Sequence, residues 1–325
     1  TTAEMGFLAP VTAIQENNFN ALTQLYNDNR LALRISAMIF ASDYNMAKWG
    51  VEFGKKLANT DRFKFQGIKL MTDGGAEGAS LLDPYMVIEG LQENPDFHGV
   101  EIWSQGRKDE FRKVMQLCVD EKLMLQTHIN GDKSARDIIS LLAEQGEKDD
   151  LSKLNWTICH LPFATDEQLD LIKKNHLNVT VQHQPYLLGL NMRRFWGDAR
   201  ANSQENYRKY IDKGLRMGGG TDYPIGPANP FPCIQFMVDR TITDGSLMGP
   251  ESAITIEEAV YLWTQGSANV EGSGDVLGSI EPGKKADLAV LNQDIFTIPT
   301  EKIGKTTVSS TWLGGKCVYR QECPV

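Results

Sequence analysis

The 325-residue chain has no Cys-x-x-Cys pair, no apolar run near the roughly 20 residues a membrane span needs, and no GxGxxG or GxxxxGK[ST] fingerprint after any strand-like run. Each absence removes a class of protein. Five cysteines (Cys118, Cys159, Cys233, Cys317, Cys323), odd in number and scattered, argue against a disulfide framework and for a reducing, cytoplasmic setting. No charged-then-apolar leader is present, and the chain opens at Thr1 without an initiator methionine. A net charge of -9 and a pI near 5.2, with no cluster of lysine and arginine among aromatics, leave no footprint for nucleic acid. Neither nucleic acid nor membrane is an expected partner. Without the glycine fingerprints, a nucleotide-binding open sheet has no support.

What is present is an ordinary globular composition, 41% hydrophobic and 23% charged, long enough for one large domain or two medium ones. Runs rich in Ile, Val, Leu and Thr at 31–40, 63–75, 123–131, 155–163, 177–186 and 215–224 read as strands. Most are continuous and not alternating, as strands buried on both faces of a parallel sheet are. Helical patterns lie between them. Residues 106–122 place Phe111, Val114, Met115 and Cys118 on one apolar stripe. Thr165 with Gln168, and Thr255 with Glu258, have the spacing of capping boxes. Strand then helix, repeated, predicts a parallel α/β fold. With residues 1–7 counted as a strand end there are seven strands, where a (β/α)8 barrel needs eight. Near residue 272 the texture changes to short β patterns between Gly and Pro turns, so 1–271 is expected to be a barrel and 272–325 a small β segment.

In a parallel barrel chemistry sits where strands end. Those ends carry Lys69, His128, His160 and Asp222. Singly, each has a plain structural explanation: a hydrogen-bonded core histidine, an aspartate capping a turn, a lysine reaching solvent or pairing with Asp73. Together they bring two imidazoles, a carboxylate and a lysine to one opening. Imidazole nitrogen and carboxylate oxygen are the donors a zinc-like divalent ion accepts, with one position left for water. Gly218, Gly219 and Gly220 allow close backbone approach there, or meet a packing need. Asp132, before a helical pattern, is expected to be a structural N-cap.

The order of these residues resembles the amidohydrolase superfamily: Lys69, then Thr127-His128 with Gly131-Asp132, then His160, then Gly220-x-Asp222-x-Pro224, then the stretch 278–291, GSIEPGKKADLAVL. More closely it resembles the family 3 branch, which includes N-substituted formamide deformylases and exoenzyme regulatory proteins of the AepA type. The resemblance implies a TIM-like (β/α)8 barrel beside part of a small β-sandwich, and a metal-dependent hydrolase of carbon–nitrogen bonds in a small-molecule amide. It implies that His128 and His160 ligate zinc or another divalent metal, one or two ions in the intact parent. Asp222 would be both ligand and catalytic base, and Lys69 a ligand once carboxylated. The family also has an H-x-H motif on its first strand, and none of His98, His128, His160, His176 and His183 is so spaced. The expectation is therefore a chain lacking its N-terminal part and the barrel's first strand, with weak metal binding and impaired activity. A missing strand could then come from the absent segment or from a second copy.

For the substrate, the excursion at 75–105 holds Tyr85, Phe97, His98 and Trp103, expected to frame an apolar acyl or aryl group. His183 and Arg193 follow the seventh strand, where they could meet a carboxylate. Trp103, His183 and Arg193 are thus the expected substrate contacts. The missing H-x-H also keeps open a catalytically inactive barrel that acts in binding or regulation.

Overall fold

The computed structural model describes residues 5–7, 12–57, 59–103, 105–182 and 184–321. Strands β1 (Met5–Phe7), β2 (Ile35–Phe40), β3 (Phe63–Met71), β4 (Met124–Ile129), β5 (Thr157–His160), β6 (Asn178–Val181) and β7 (Arg216–Gly219) form one seven-stranded sheet, in chain order and parallel throughout. The connecting helices are α1 (Thr12–Asn27), α2 (Tyr44–Gly54), α3 (Lys108–Asp120), α4 (Asp132–Gly146), α5 (Asp166–Lys174), α6 (Gln184–Trp196), α7 (Asp198–Ser203) and α8 (Tyr207–Asp212). After β7 come α9 (Phe231–Asp239), α10 (Ile256–Tyr261) and α11 (Ser267–Val270). No helix among the described residues is long and apolar enough to cross a membrane.

This is a barrel-like α/β arrangement, and its local details follow the sequence. β4 is buried at every position, because a parallel strand under helices has no solvent face. The apolar stripe of α3 (Phe111, Val114, Met115, Cys118) is buried, and both capping boxes close. The glycines of β7 serve packing. A Cβ at Gly218 would come within 3.0 Å of Ser267 Cα, and one at Gly219 within 2.9 Å of Trp263 Nε1. On that edge the Ser267 hydroxyl accepts the Gly219 N–H (3.1 Å) and stands within donating distance of the Gly219 and Leu262 carbonyls. Among the described residues β1 and β7 do not pair with each other.

Strands β8 (Leu288–Leu291), β9 (Val308–Leu313) and β10 (Lys316–Arg320) form a separate antiparallel sheet in the order β10-β9-β8. The segment carrying them shares the core of the rest: Ile295 and Ile303 join the main hydrophobic cluster, and Asp287 pairs with Arg34 beside β2 at 2.6 Å.

A buried polar group steadies the ends of β5 and β6. Tyr210 donates to the Leu161 carbonyl (2.6 Å), and the Glu205 N–H donates to that of Pro162 (2.9 Å). The Tyr207 phenol lies 3.0 Å from the Gln182 carbonyl and also against the Glu205 carboxyl. The Arg240 guanidinium lies over the rings of Tyr207 and Phe236 and donates to the carbonyls of Gln204, Glu205 and Met248. A phenol has one proton, so an ionised Glu205 would compete with Gln182 for it, whereas a protonated Glu205 donates a second. Burial pushes Glu205 in the same direction, up to about 8, against the pull of Tyr207 and Arg240.

A raised carboxyl pKa means that the folded chain holds a proton the unfolded chain has released, so this group's contribution is full below the ordinary carboxyl range and is lost as pH rises to about 8. The slope is at most about 1.4 kcal/mol per pH unit. Glu205→Gln should therefore gain on the parent chain as pH rises through that window, read from urea midpoints. Parallel curves for the two chains would refute it.

Candidate active site

Register sets the height of each functional side chain. Lys69 of β3 lies opposite Gln126, while Met71 lies opposite His128, which lies opposite Cys159. Opposed residues share a face, so His128 and Cys159 point the same way, and strict alternation would send His160 to the other face. It does not go there. His160 (φ 71°) and Leu161 (φ 50°) are both left-handed, a conformation uncommon outside glycine, and the strand ends in a twist that brings the His160 ring to His128. The two ring centres are 4.6 Å apart, edge to face. Asp222, beyond the end of β7, is left-handed too (φ 53°).

Asp73 anchors this arrangement. Fully buried, its carboxylate accepts the backbone N–H groups of Gly131 (2.7 Å), Asn130 (3.0 Å) and Ser80 (3.2 Å), and stands 3.1 Å from His128 Nδ1. His128 then donates from Nδ1 and keeps its lone pair on Nε2, which faces the Asn130 amide nitrogen at 3.2 Å. Gly131 is required by the same turn, because a Cβ there would lie 1.7 Å from the Ser80 carbonyl oxygen. Across the opening, Gln184 Nε2 donates to Asp222 Oδ2 (2.8 Å) and stands 3.4 Å from His160 Nδ1. Lys69 Nζ donates to Cys159 Sγ at 3.1 Å.

These groups sense one another. Burial holds His160 well below the ordinary imidazole range, and the neighbouring His128 and Lys69 push the same way, so its ring is neutral and offers a lone pair. Burial raises Asp222 above the ordinary carboxylate range, partly offset by Lys69, Gln184 and His128. The donor set suits a divalent cation: two imidazoles, one fixed by a carboxylate, beside a third carboxylate-bearing residue. Among the described residues no three His, Cys, Asp or Glu side chains stand ready around one point. The N–H groups of Asn130 and Gln184 meet lone pairs that a cation would use.

Lys69, His128, His160 and Asp222 are thus brought together. Four other expectations are corrected. Lys69 neither reaches solvent nor pairs with Asp73, whose oxygens are taken by His128 and three backbone amides. Asp132 is the first residue of α4, with Gly131 as N-cap; its carboxylate accepts the Leu82 N–H (2.8 Å). Trp103 is in the core, edge-on to Phe111 and under the Arg107 guanidinium, and the excursion packs Tyr85 on Phe97 and on Phe195 of α6. Arg193 is engaged structurally, donating to Ser246 Oγ and the Leu247 carbonyl and facing Asp198. His183 lies outside the described residues. Sequence reasoning missed Asp73, Asn130 and Gln184 as site residues. The signal available for the first was a carboxylate before paired glycines at a strand end, and for the last an amide just before Pro185 at a helix start.

Comparison with known proteins adds to this geometry. The model of the amidohydrolase family (Amidohydro_3) matches residues 11–319. The putative amidohydrolase YtcJ of Bacillus subtilis is 22% identical over 268 residues, 79% of this chain and 48% of the relative. The N-substituted formamide deformylase of Arthrobacter pascens is 30% identical over 135 residues, 39% of this chain and 25% of the relative. The chain spans about half the length of YtcJ, or less of the other relative. An uncharacterised metal-dependent hydrolase from Pyrococcus horikoshii has the same fold, with a TM-score of 0.74 at 22% identity over 91% of this chain and 57% of that one.

Removing the anchor should be costly. Asp73→Ala leaves three backbone N–H groups, those of Ser80 and Gly131 buried, and His128 Nδ1 without their acceptor and is expected to destabilise by about 3 kcal/mol or more. Asp132→Ala, at an exposed bond, should cost about 1 kcal/mol or less. Thermal melts of the two variants check the contrast, and equal losses would contradict the anchoring role.

Proposed function

Since the chain belongs to the amidohydrolase family, we propose that it is the hydrolase part of a protein that cleaves a carbon–nitrogen bond in a small amide, an N-acyl or N-formyl amine, with metal-activated water. The observation that carries the reading is the meeting of His128, His160, Lys69 and Asp222 at one side of the sheet, with Asp73 fixing His128 from behind. The matched deformylase, named for N-substituted formamides, supports this substrate class.

His128, His160 and Asp222 would hold the metal, zinc or a similar divalent ion, joined by Lys69 if its amine is carboxylated. An ordinary ammonium is no ligand. When bound, such an ion lowers the pKa of water to about 7 and polarises a carbonyl oxygen. The chain's own residues do the rest. Asp222, its proton affinity raised by burial, takes a proton from the attacking water and returns it to the departing nitrogen. Gln184 aims that carboxylate by holding Oδ2, leaving Oδ1 for the reacting groups. Asp73 keeps His128 in the tautomer whose Nε2 carries the free lone pair. Burial keeps His160 neutral and able to ligate.

The test is a panel of N-formyl and N-acyl amines assayed with zinc added, together with metal analysis of the purified protein. Turnover is expected, lowered roughly 10²- to 10⁴-fold by Asp222→Asn and at least as strongly by His160→Ala. No turnover and no bound metal, in this chain and in a version extended to the length of its relatives, would overturn the reading in favour of a binding or regulatory barrel.

A further inference from the structure

We propose that Lys69 and Cys159 form an oxidation-sensitive pair that closes into a covalent nitrogen–sulfur bond when a peroxide reaches the thiol. The contact is unusual for both partners. Lys69 lies on β3 and Cys159 on β5, about 10 Å apart across the intervening strand. The lysine side chain crosses β4 to bring Nζ to 3.1 Å from Sγ, with both residues buried, at 7% and 4% exposure. Ordering a lysine chain this way costs up to about 2 kcal/mol of rotamer freedom. Yet among the described residues no carboxylate stands within ion-pair distance of this amine. Among the described residues its hydrogen-bond partner is the sulfur.

The other described cysteines lack such a neighbour. Cys118 and Cys233 are fully buried, and burial pushes both thiols up; Cys317 lies in β10 against the Tyr319 carbonyl. Cys159 differs because it faces the side of the sheet where His128, its register partner, retains some exposure.

The chemistry balances with hydrogen peroxide as the only co-reactant. The sulfur attacks one peroxide oxygen, the O–O bond breaks, and the thiol proton leaves with hydroxide as water. Sulfur is thereby oxidised by two electrons to a sulfenic acid. The Lys69 amine, having released one proton to solvent, then attacks that sulfur. The S–N bond forms, the S–O bond breaks, and the hydroxyl leaves as a second water with a proton from nitrogen. Burial that excludes bulk water, and an amine already in contact, favour this condensation over further oxidation. A thiol reductant reverses it by attack on sulfur. The cross-link does not depend on the proposed function. Under that reading it would also withdraw the Lys69 amine from the site.

The experiment uses the reduced full chain, exposed to graded hydrogen peroxide, digested without reductant and mapped by tandem mass spectrometry. The expected product is a Lys69 peptide joined to a Cys159 peptide with the net loss of two hydrogens. It should disappear on treatment with dithiothreitol and be absent from Cys159→Ser and Lys69→Met. Recovery of Cys159 as a free thiol, or as an unlinked sulfinic acid, at doses that oxidise Cys317 would overturn the proposal. Should either variant fail to fold, reversal by dithiothreitol in the parent chain still decides the matter.

Discussion

In a parallel sheet every strand runs the same way, so β3, β4, β5 and β7 bring Lys69, His128, His160 and the approach to Asp222 out at one side. Residues separated by tens of positions then need only local adjustments to meet. One such adjustment is Asp73, whose carboxylate ties the loop after β3 to the loop after β4 through three backbone amides and the His128 ring. Another is the pair of left-handed residues that ends β5 and swings His160 inward. The polar group around Glu205 and Arg240 ties down the chain after β5 and β6 through the carbonyls of Leu161, Pro162 and Gln182.

Burial shapes the electrostatics of this opening. It drives His160 and Asp222 in opposite directions on the pH scale, and in both cases toward the uncharged form. A neutral imidazole is a ligand and an imidazolium is not, so the shift of His160 favours metal binding. The raised proton affinity of Asp222 suits a carboxylate that shuttles a proton. Lys69 supplies the positive charge that both of them feel. The amides of Asn130 and Gln184 complete a first ring of contacts among these side chains.

The strands and the ends that matter could be read in the sequence because a continuous apolar run that stops at a polar residue is a local signal. His128 and His160 carried it, Lys69 and Asp222 lay inside or just beyond such a run, and the threonines at 165 and 255 announced their helices. Partners fixed by long-range geometry gave no such signal. Asp73 meets amides 57 and 58 positions away, and Gln184 meets Asp222 across 38. Trp103 and Arg193 show the converse: an aromatic in a loop, or an arginine in a helix after a strand, looks like a ligand contact until packing claims it. The twist at His160 was equally hidden, since nothing in its residue type demands a positive φ.

The most direct check is an anomalous difference map at the zinc edge from crystals of this chain grown with zinc. The account predicts a peak bonded at about 2.0–2.2 Å to a nitrogen of His128 and a nitrogen of His160, with an Asp222 oxygen beside it. Zinc bound only elsewhere on the chain, with both rings still capped by the amides of Asn130 and Gln184, would contradict it.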